Sequence, residues 1–319
     1  MKLNLVGKII WQIGSGDDTR PYDDICLKFG IAIDGNSLLQ VKKGNFIILR
    51  RGKKKILAVG EVIKEYDYSD LLSDVHGWDL QHYIGVQWYI PEKPIEFSRT
   101  PLAQEPLTRA YSNEVITRIS NEDFVLHSGE QKNLSDLKIP KKNTIEDVSQ
   151  ALIDYGVRIQ DAENISRTIE RIIKLAKWYI ENDYKTLEYE IRTFLIVPLI
   201  VSLGWSEQKI KVEYNNIDIA VFNKPFKGNY KESPQIIIET KRFHDGLYYA
   251  FEAAKHYAAR YRDCNLLVST NGYRFRLYEK TGDDFIESGY LNLFDMREHH
   301  YLNDNIYGAV NCLIRMSNF

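Results

Sequence analysis

IKVEYNNIDIAVFNKPFKGNYKESPQIIIETK (Ile210–Lys241) holds both a β-hairpin pattern and a strand that ends in charge. KIKVEYNNIDIAVF folds back around Asn215 and Asn216, residues that tolerate the left-handed backbone of a two-residue hairpin turn. PQIIIETKRF then runs apolar without a break until Glu239 and Lys241. Side chains alternate between the faces of a strand, so this spacing predicts Glu239 and Lys241 on the same face. Asp218 sits in the apolar run IDIAVF, one connection upstream. Two carboxylates converging at one sheet edge repel each other unless a divalent cation lies between them. Oxygen ligands with room for water suit Mg²⁺, with Mn²⁺ as a substitute. Such an ion polarises a phosphodiester and activates water, while Lys241 orients the nucleophile or neutralises developing charge. A Glu-x-Lys pair alone is equally a strand-end salt bridge, with Asp218 a turn residue. The apolar run before each carboxylate, the hairpin and the helix upstream favour the metal site.

Downstream of this stretch, GLYYAFEAAKHYAARY reads as an amphipathic helix. NLLVSTNGYRFRLYE reads as two strands joined through Asn271 and Gly272. Upstream, Thr144 opens a helical region in which TIED resembles a capping box. A helix over 161–181 carries Ile165, Ile169, Ile172, Ile173, Ala176 and Ile180 on one stripe. LEYEIRTFLIVPLIVSL is apolar on more than one face, which predicts burial, and Pro198 marks a kink or boundary in it. The order helix, hairpin, strand, helix, two strands predicts an α/β layer with a mixed sheet.

Residues 1–105 are different in texture. VGKIIWQI, DICLKFGIAI, NFIILRR, KILAVGEVI and IGVQWYI are short β-branched or aromatic runs, as in a small barrel. From 106 to 143 the texture loosens around Pro106, Pro140 and HSGEQKNLSDLKIPKKN, as in a linker. The expected division is therefore 1–105, a linker and helical segment over 106–180, and 181–319. The fold class is α+β / α/β in two domains.

Composition limits the function classes. The chain has 319 residues, 42 Lys+Arg against 44 Asp+Glu and a formal net charge of -2, which excludes a simple polybasic nucleic-acid coat. Three cysteines in no CxxC pair exclude a disulfide framework and a Cys-rich zinc site, and fit a reducing cytoplasm. FLIVPLIVSL (Phe194–Leu203) falls short of the roughly 20 residues of a membrane span, so no membrane partner is expected. No GxxxxGK[ST] occurs, so no nucleotide triphosphate is expected on this chain. The histidines show no HxxxH or HExxH spacing; His244, just after the ExK strand, faces the cleft or caps a helix. Ser15 in GSGDDT lacks the strand-turn-helix setting of a nucleophile elbow.

Asp218 with Glu239-Thr240-Lys241 resembles the PD-(D/E)xK nuclease core, and the wider stretch resembles the nuclease domain of type I restriction motor subunits. The matching pieces are EYEIR (Glu188–Arg192), VPLIVSLGW, IDIAVF, IIIETK, the helix with Tyr257-Ala258, and STNGYRFRLYE. The resemblance implies Asp218 and Glu239 as metal ligands, Lys241 as a catalytic cation and a Glu on the first helix completing the site. Glu188 is the better match for that Glu, with Glu190 as the fallback. Ala253 stands where the family has a Gln four residues before the helix Tyr, which puts that Gln's role in placing DNA in doubt.

VKKGNFIILRRGKKKILAVGEVIKEYDYSDLLSDVHGWDLQHYIGVQWYI resembles the EVE-like and PUA-like barrels in its Lys-Lys-Gly turn, AVGEV, and Tyr66-x-Tyr68. The resemblance implies a reader of a modified base flipped into an aromatic pocket. Trp11, Trp78, Tyr66 and Tyr68 are stacking candidates, and Asp67 or Gln12 supply edge contacts; each aromatic is otherwise a core or hairpin residue. Lys42, Lys43, Arg50, Arg51, Lys53, Lys54 and Lys55 occur with no acid among them, so the hairpin tip is either a phosphate-binding surface or a solvated end. Together these features imply a Mg²⁺-dependent DNA endonuclease of the modification-dependent, type IV restriction kind, acting on double-stranded DNA. A homodimer follows from cutting both strands, with the 161–181 helix as its candidate interface. The alternatives are a DNA- or RNA-binding protein with a silent nuclease core, or the nuclease subunit of a larger defence complex.

Overall fold

The computed structural model describes every residue except 17–20, 73, 74, 76, 77, 79, 111, 128–133, 135, 136, 138, 183, 229–231, 244, 301 and 304, and the side chains of 36, 248 and 249. His244 therefore lies outside the described residues. The chain forms two compact units, Met1–Lys138 and Ile139–Phe319, each a mixture of helix and sheet.

The first unit contains β1 (Ile10–Gly14), α1 (Asp23–Phe29), β2 (Ile31–Asp34), β3 (Phe46–Arg51), β4 (Lys55–Tyr68) and β5 (His82–Pro91). It continues through β6 (Ile95–Glu96), β7 (Leu107–Arg109), α2 (Asn113–Asn121) and β8 (Phe124–Leu126). The strands form a curled sheet in the order β2-β5-β4-β3-β1-β7, with β6 beside β4 and β8 beside β5. Among the described residues no ladder joins β2 to β7, and the expected small barrel takes the form of a curled, half-barrel sheet. Trp88 on β5 lies across β4 at Gly60, where a Cβ would come within 2.6 Å of the indole. Glycine there is what lets the ring seal the interior, and its Nε1–H donates to the Cys26 carbonyl at 3.0 Å.

The second unit opens with α3 (Ile145–Asp154), capped as expected by Thr144 and Asp147 in a reciprocal capping box, and α4 (Ile159–Glu181). α5 (Glu188–Ile191) runs through a π turn (Arg192–Ile196) into α6 (Val197–Ser202). Then come β9 (Ile210–Tyr214), β10 (Ile217–Val221), β11 (Ile236–Thr240), α7 (Tyr248–Ala258), β12 (Leu266–Thr270), β13 (Arg274–Thr281), β14 (Asp284–Asn292) and α8 (Ala309–Met316). The sheet order is β14-β13-β12-β11-β10-β9, mixed because β11 and β12 run parallel while the other pairs are antiparallel. Asn215 and Asn216 both have positive φ, as the hairpin turn between β9 and β10 requires.

Two expectations change. The expected linker is divided: β7, α2 and β8 pair and pack within the first unit, while α3 and α4 belong to the second. The apolar stripe of α4, including Ile165, Ile169, Ile172 and Ala176, is buried in the core of its own unit against α5, α6 and the sheet. Each such isoleucine contributes about 1.5–3 kcal/mol on burial, so that stripe is spent within the chain and is not free to join two copies.

Pro198 marks a discontinuity, as expected. It has no N–H to offer the carbonyl of Phe194 four residues back, and the helix widens to a π turn just before it. Arg171 of α4 supplies the missing donor, its Nη2 reaching the Phe194 carbonyl at 2.9 Å.

Candidate active site

The site is assembled at the hairpin end of β10 and the end of β11. Ile219 pairs with Ile238, and that register makes Glu239 the cross-strand neighbour of Asp218. The Asp218 backbone N–H donates to Glu239 Oε1 at 3.1 Å. The β9–β10 register places Glu213 across from Asp218 on the other side, since Val212 pairs with Ile219 and Tyr214 with Ile217. Three carboxylates therefore span three adjacent strands, an arrangement that like-charge repulsion disfavours without a cation.

That cation is Arg192, the first residue of the π turn. Its Nη1 bonds Asp218 Oδ1 at 2.5 Å and its Nη2 bonds Glu213 Oε1 at 2.5 Å. Nη1 also lies 3.4 Å from Thr240 Oγ1. The side chains of Arg192 and Asp218 are 10% and 14% exposed, whereas that of Glu213 is 63% exposed. Glu213 itself has φ +57°, a left-handed backbone that costs a side-chain-bearing residue about 1–3 kcal/mol. Thr240 closes the other side of Asp218, with both its N–H and its Oγ1–H donating to Oδ2 at 2.7 Å.

Burial, and then the charge of Asp218, push the Glu239 carboxyl up to about 8. Lys241 lies one residue beyond the end of β11, its N–H held by the Thr270 carbonyl at 2.9 Å. Its Nζ stands 3.9 Å from Glu188 Oε1 on α5. Glu190 is engaged elsewhere, accepting from the Leu187 N–H and the Tyr184 hydroxyl, each at 2.9 Å.

The structure thus brings Asp218, Glu239, Lys241 and Glu188 to one end of the sheet. Three participants were missed: Arg192, Thr240 and Glu213. A signal for Arg192 was present: it is the one cation in LEYEIRTFLIVPLIVSL, whose apolar faces predict burial, and a buried cation must find an acid. Thr240 was hidden by the expectation of a strand running straight through Lys241. Among the described residues no three His, Cys, Asp or Glu side chains stand together as a metal cage. The donor chemistry nonetheless suits a hard divalent cation: two carboxylates are adjacent, and burial, then the Asp218 charge, holds Glu239 towards its neutral form.

The candidates in the first unit are dispersed. Tyr66 stacks on His82 with centroids 5.7 Å apart and its hydroxyl 2.7 Å from Nδ1, and Tyr68 meets the same ring edge-on at 5.5 Å. Trp78 instead packs on Tyr22 at 6.3 Å. Trp11 is buried, bonded to Asn45 Oδ1 at 2.9 Å and covered by the Arg109 guanidinium. Asp67 accepts from Tyr83 and Lys64, and Gln12 accepts from the Ala103 N–H.

The basic hairpin also differs from expectation. Arg50 is 4% exposed, its guanidinium directed to the carbonyls of Gly52 and Glu105, so it cannot lie on a phosphate. Arg51 pairs with Asp23, Lys55 with Glu96 at 3.2 Å, and Lys53 donates to Gln104 at 2.8 Å. Lys42, Lys43 and Lys54 are exposed. A concavity of about 390 Å³ lies among residues 51–55, Glu96, Phe97 and Thr100.

No protein-family model matches the chain, and no curated protein matches it. Among solved structures it is similar to the YTH domain of the Zygosaccharomyces rouxii MRB1 protein, solved in complex with N6-methyladenosine RNA. The identity is 14% and the TM-score 0.23, and the match covers 28% of this chain. It spans 63% of that solved chain, less than two thirds of its length.

Proposed function

We propose that the chain is a Mg²⁺-dependent DNA endonuclease of the PD-(D/E)xK kind, with the second unit as the nuclease and the first as an EVE/PUA-like reader of a modified base. The observation that carries this reading is the cross-strand pair Asp218–Glu239 with Lys241 just past the strand end and Glu188 facing it. Adjacent carboxylates on a rigid sheet with a lysine beside them are what metal-assisted phosphodiester hydrolysis requires. The metal, when bound, supplies Lewis-acid polarisation of the phosphate and a water of lowered pKa. Asp218 and Glu239 hold it, and Thr240 fixes the Asp218 carboxylate through two donors. Lys241 orients the attacking water or offsets charge on the phosphate, and Glu188 sets the position of the Lys241 ammonium.

In this reading Tyr66 and Tyr68 flank the reader's base site, and exposed Lys42, Lys43 and Lys54 meet phosphates. Cutting both strands calls for two copies of the chain, and the biological setting is restriction of modified phage DNA in the cytoplasm. Cleavage of matched duplexes in Mg²⁺ or Mn²⁺ tests it: unmodified, methylcytosine, hydroxymethyl- or glucosylated cytosine, and N6-methyladenine. Cutting of one modified duplex by wild type and none by Asp218→Ala is the expected result. Indiscriminate cutting would keep the nuclease and remove the reader. A silent core that only binds DNA or RNA is the second reading, favoured by the engagement of both Asp218 oxygens by Arg192 and Thr240. Binding without cleavage of any duplex would select it.

A further inference from the structure

We propose that Arg192 is the resident cation of the Asp218 site and exchanges with the divalent metal, holding Asp218 when the metal is absent and withdrawing when it binds. The inference rests on the nuclease reading above and concerns what that reading leaves unexplained, an arginine already seated where positive charge is needed. An ionised carboxylate offers about four lone-pair positions. Asp218 uses one for Arg192 Nη1 and two for the Thr240 N–H and hydroxyl, so its Oδ1 is shared between the guanidinium and any incoming metal.

The arginine is held less completely than a purely architectural one. Its Nε is buried with no hydrogen-bond partner. Its second acid, Glu213, lies mostly in water on a left-handed backbone. Charge attraction in water is weak, so the outer half of the clamp opens readily and gives the guanidinium a route towards solvent. The inner half is strong because it is desolvated, but a divalent ion brings twice the charge to the same oxygen and also satisfies Glu239, which Arg192 does not reach by any hydrogen bond or ion pair. Arg192 is thus a positioning residue: it ties Asp218 on β10 to Glu213 on β9, and its presence lowers metal affinity.

Calorimetric titration of Mn²⁺ into the full chain without DNA separates this from a structural role. Arg192→Gln is expected to bind Mn²⁺ at least about tenfold more tightly than wild type, with Arg192→Lys between them, because the competing cation is gone or smaller. The same ion should raise the melting temperature of Arg192→Gln more than that of wild type. Equal or weaker binding by a folded Arg192→Gln overturns the proposal. If that variant does not fold, Glu213→Gln loosens only the exposed half of the clamp and should bind Mn²⁺ about threefold more tightly; unchanged affinity there also overturns it. If wild type, every variant and Asp218→Asn alike take up no Mn²⁺, the nuclease reading itself fails. Binding that is lost in Asp218→Asn yet indifferent to Arg192 and Glu213 removes the exchange alone.

Discussion

The β3–β4 hairpin of the first unit and the β9–β10 hairpin of the second place charge in opposite ways. In the first, a dense basic run is separated residue by residue: Arg50 turns inward to carbonyls, Arg51 takes Asp23, Lys53 takes Gln104 and Lys55 takes Glu96. In the second, one arginine from a helix serves Asp218, Glu213 and Thr240 together. A run of like charges in a sequence is therefore no measure of a charged surface, because neighbouring elements can answer most of its members. An isolated charge in an apolar segment says more, since burial forces it to find partners and those partners mark a site.

The largest effect that would test the contrast is at Asp218. Asp218→Ala should reduce DNA cleavage by at least ~10², and should destabilise the second unit by about 3–5 kcal/mol because Arg192 is left buried beside a missing partner. Chemical denaturation followed by circular dichroism measures the second part. Alanine at Lys53, answered only by a neutral glutamine, should leave stability within about 0.5 kcal/mol.

Next is the pH dependence carried by Glu239. Its folded pKa, about 8, is raised above the ordinary value of 4.5, so the native state binds the proton more tightly than the unfolded chain. Without divalent cation its contribution is fully present below pH 4.5 and is lost as the pH rises to 8, by at most about 1.4 kcal/mol per pH unit. Glu239→Gln should flatten that slope in melts taken across this window; an unchanged slope would assign the pH dependence to other groups.

Two glycines probe packing in each unit separately. At Gly272, φ is +95° and a Cβ would stand 2.6 Å from Leu195 Cδ1, so Gly272→Ala presses on the helix that delivers Arg192. At Gly60 the Cβ would meet Val86 Cγ1 at 2.2 Å and the Trp88 ring. Each should cost about 1–3 kcal/mol, but only Gly272→Ala should also change Mn²⁺ binding, tightening it as the competing Arg192 is displaced. The smallest effect belongs to the basic tip: alanine at Lys54 should lower DNA affinity only slightly and reduce the salt slope by about 1, a change visible in titrations at several ionic strengths.

Much of the second unit was legible because its signals are local. Thr144 and Asp147 announce a helix start, the Asn pair forces a hairpin, and the isoleucine stripe of α4 repeats at helical spacing. The cross-strand meeting of Asp218 and Glu239 follows from that hairpin and the next strand. What could not be read was set by distant partners. Whether β11 ends before or after Lys241 depends on its pairing with β12, and Arg192 finds Asp218 only once a helix lies on the sheet end. In the first unit, curled strands of uneven length gave no period from which closure could be judged, and the aromatic candidates divided between separate clusters for the same reason.

The bond from Arg171 to the Phe194 carbonyl bears on how the protein can be cut into pieces. A fragment beginning at 181 contains every carboxylate of the site, yet it discards the side chain that repairs the helix beside Pro198 and uncovers the hydrophobic face that α4 shields. The compact unit starts at Ile139, so a truncation chosen from the motif alone is expected to expose that apolar face and yield insoluble material.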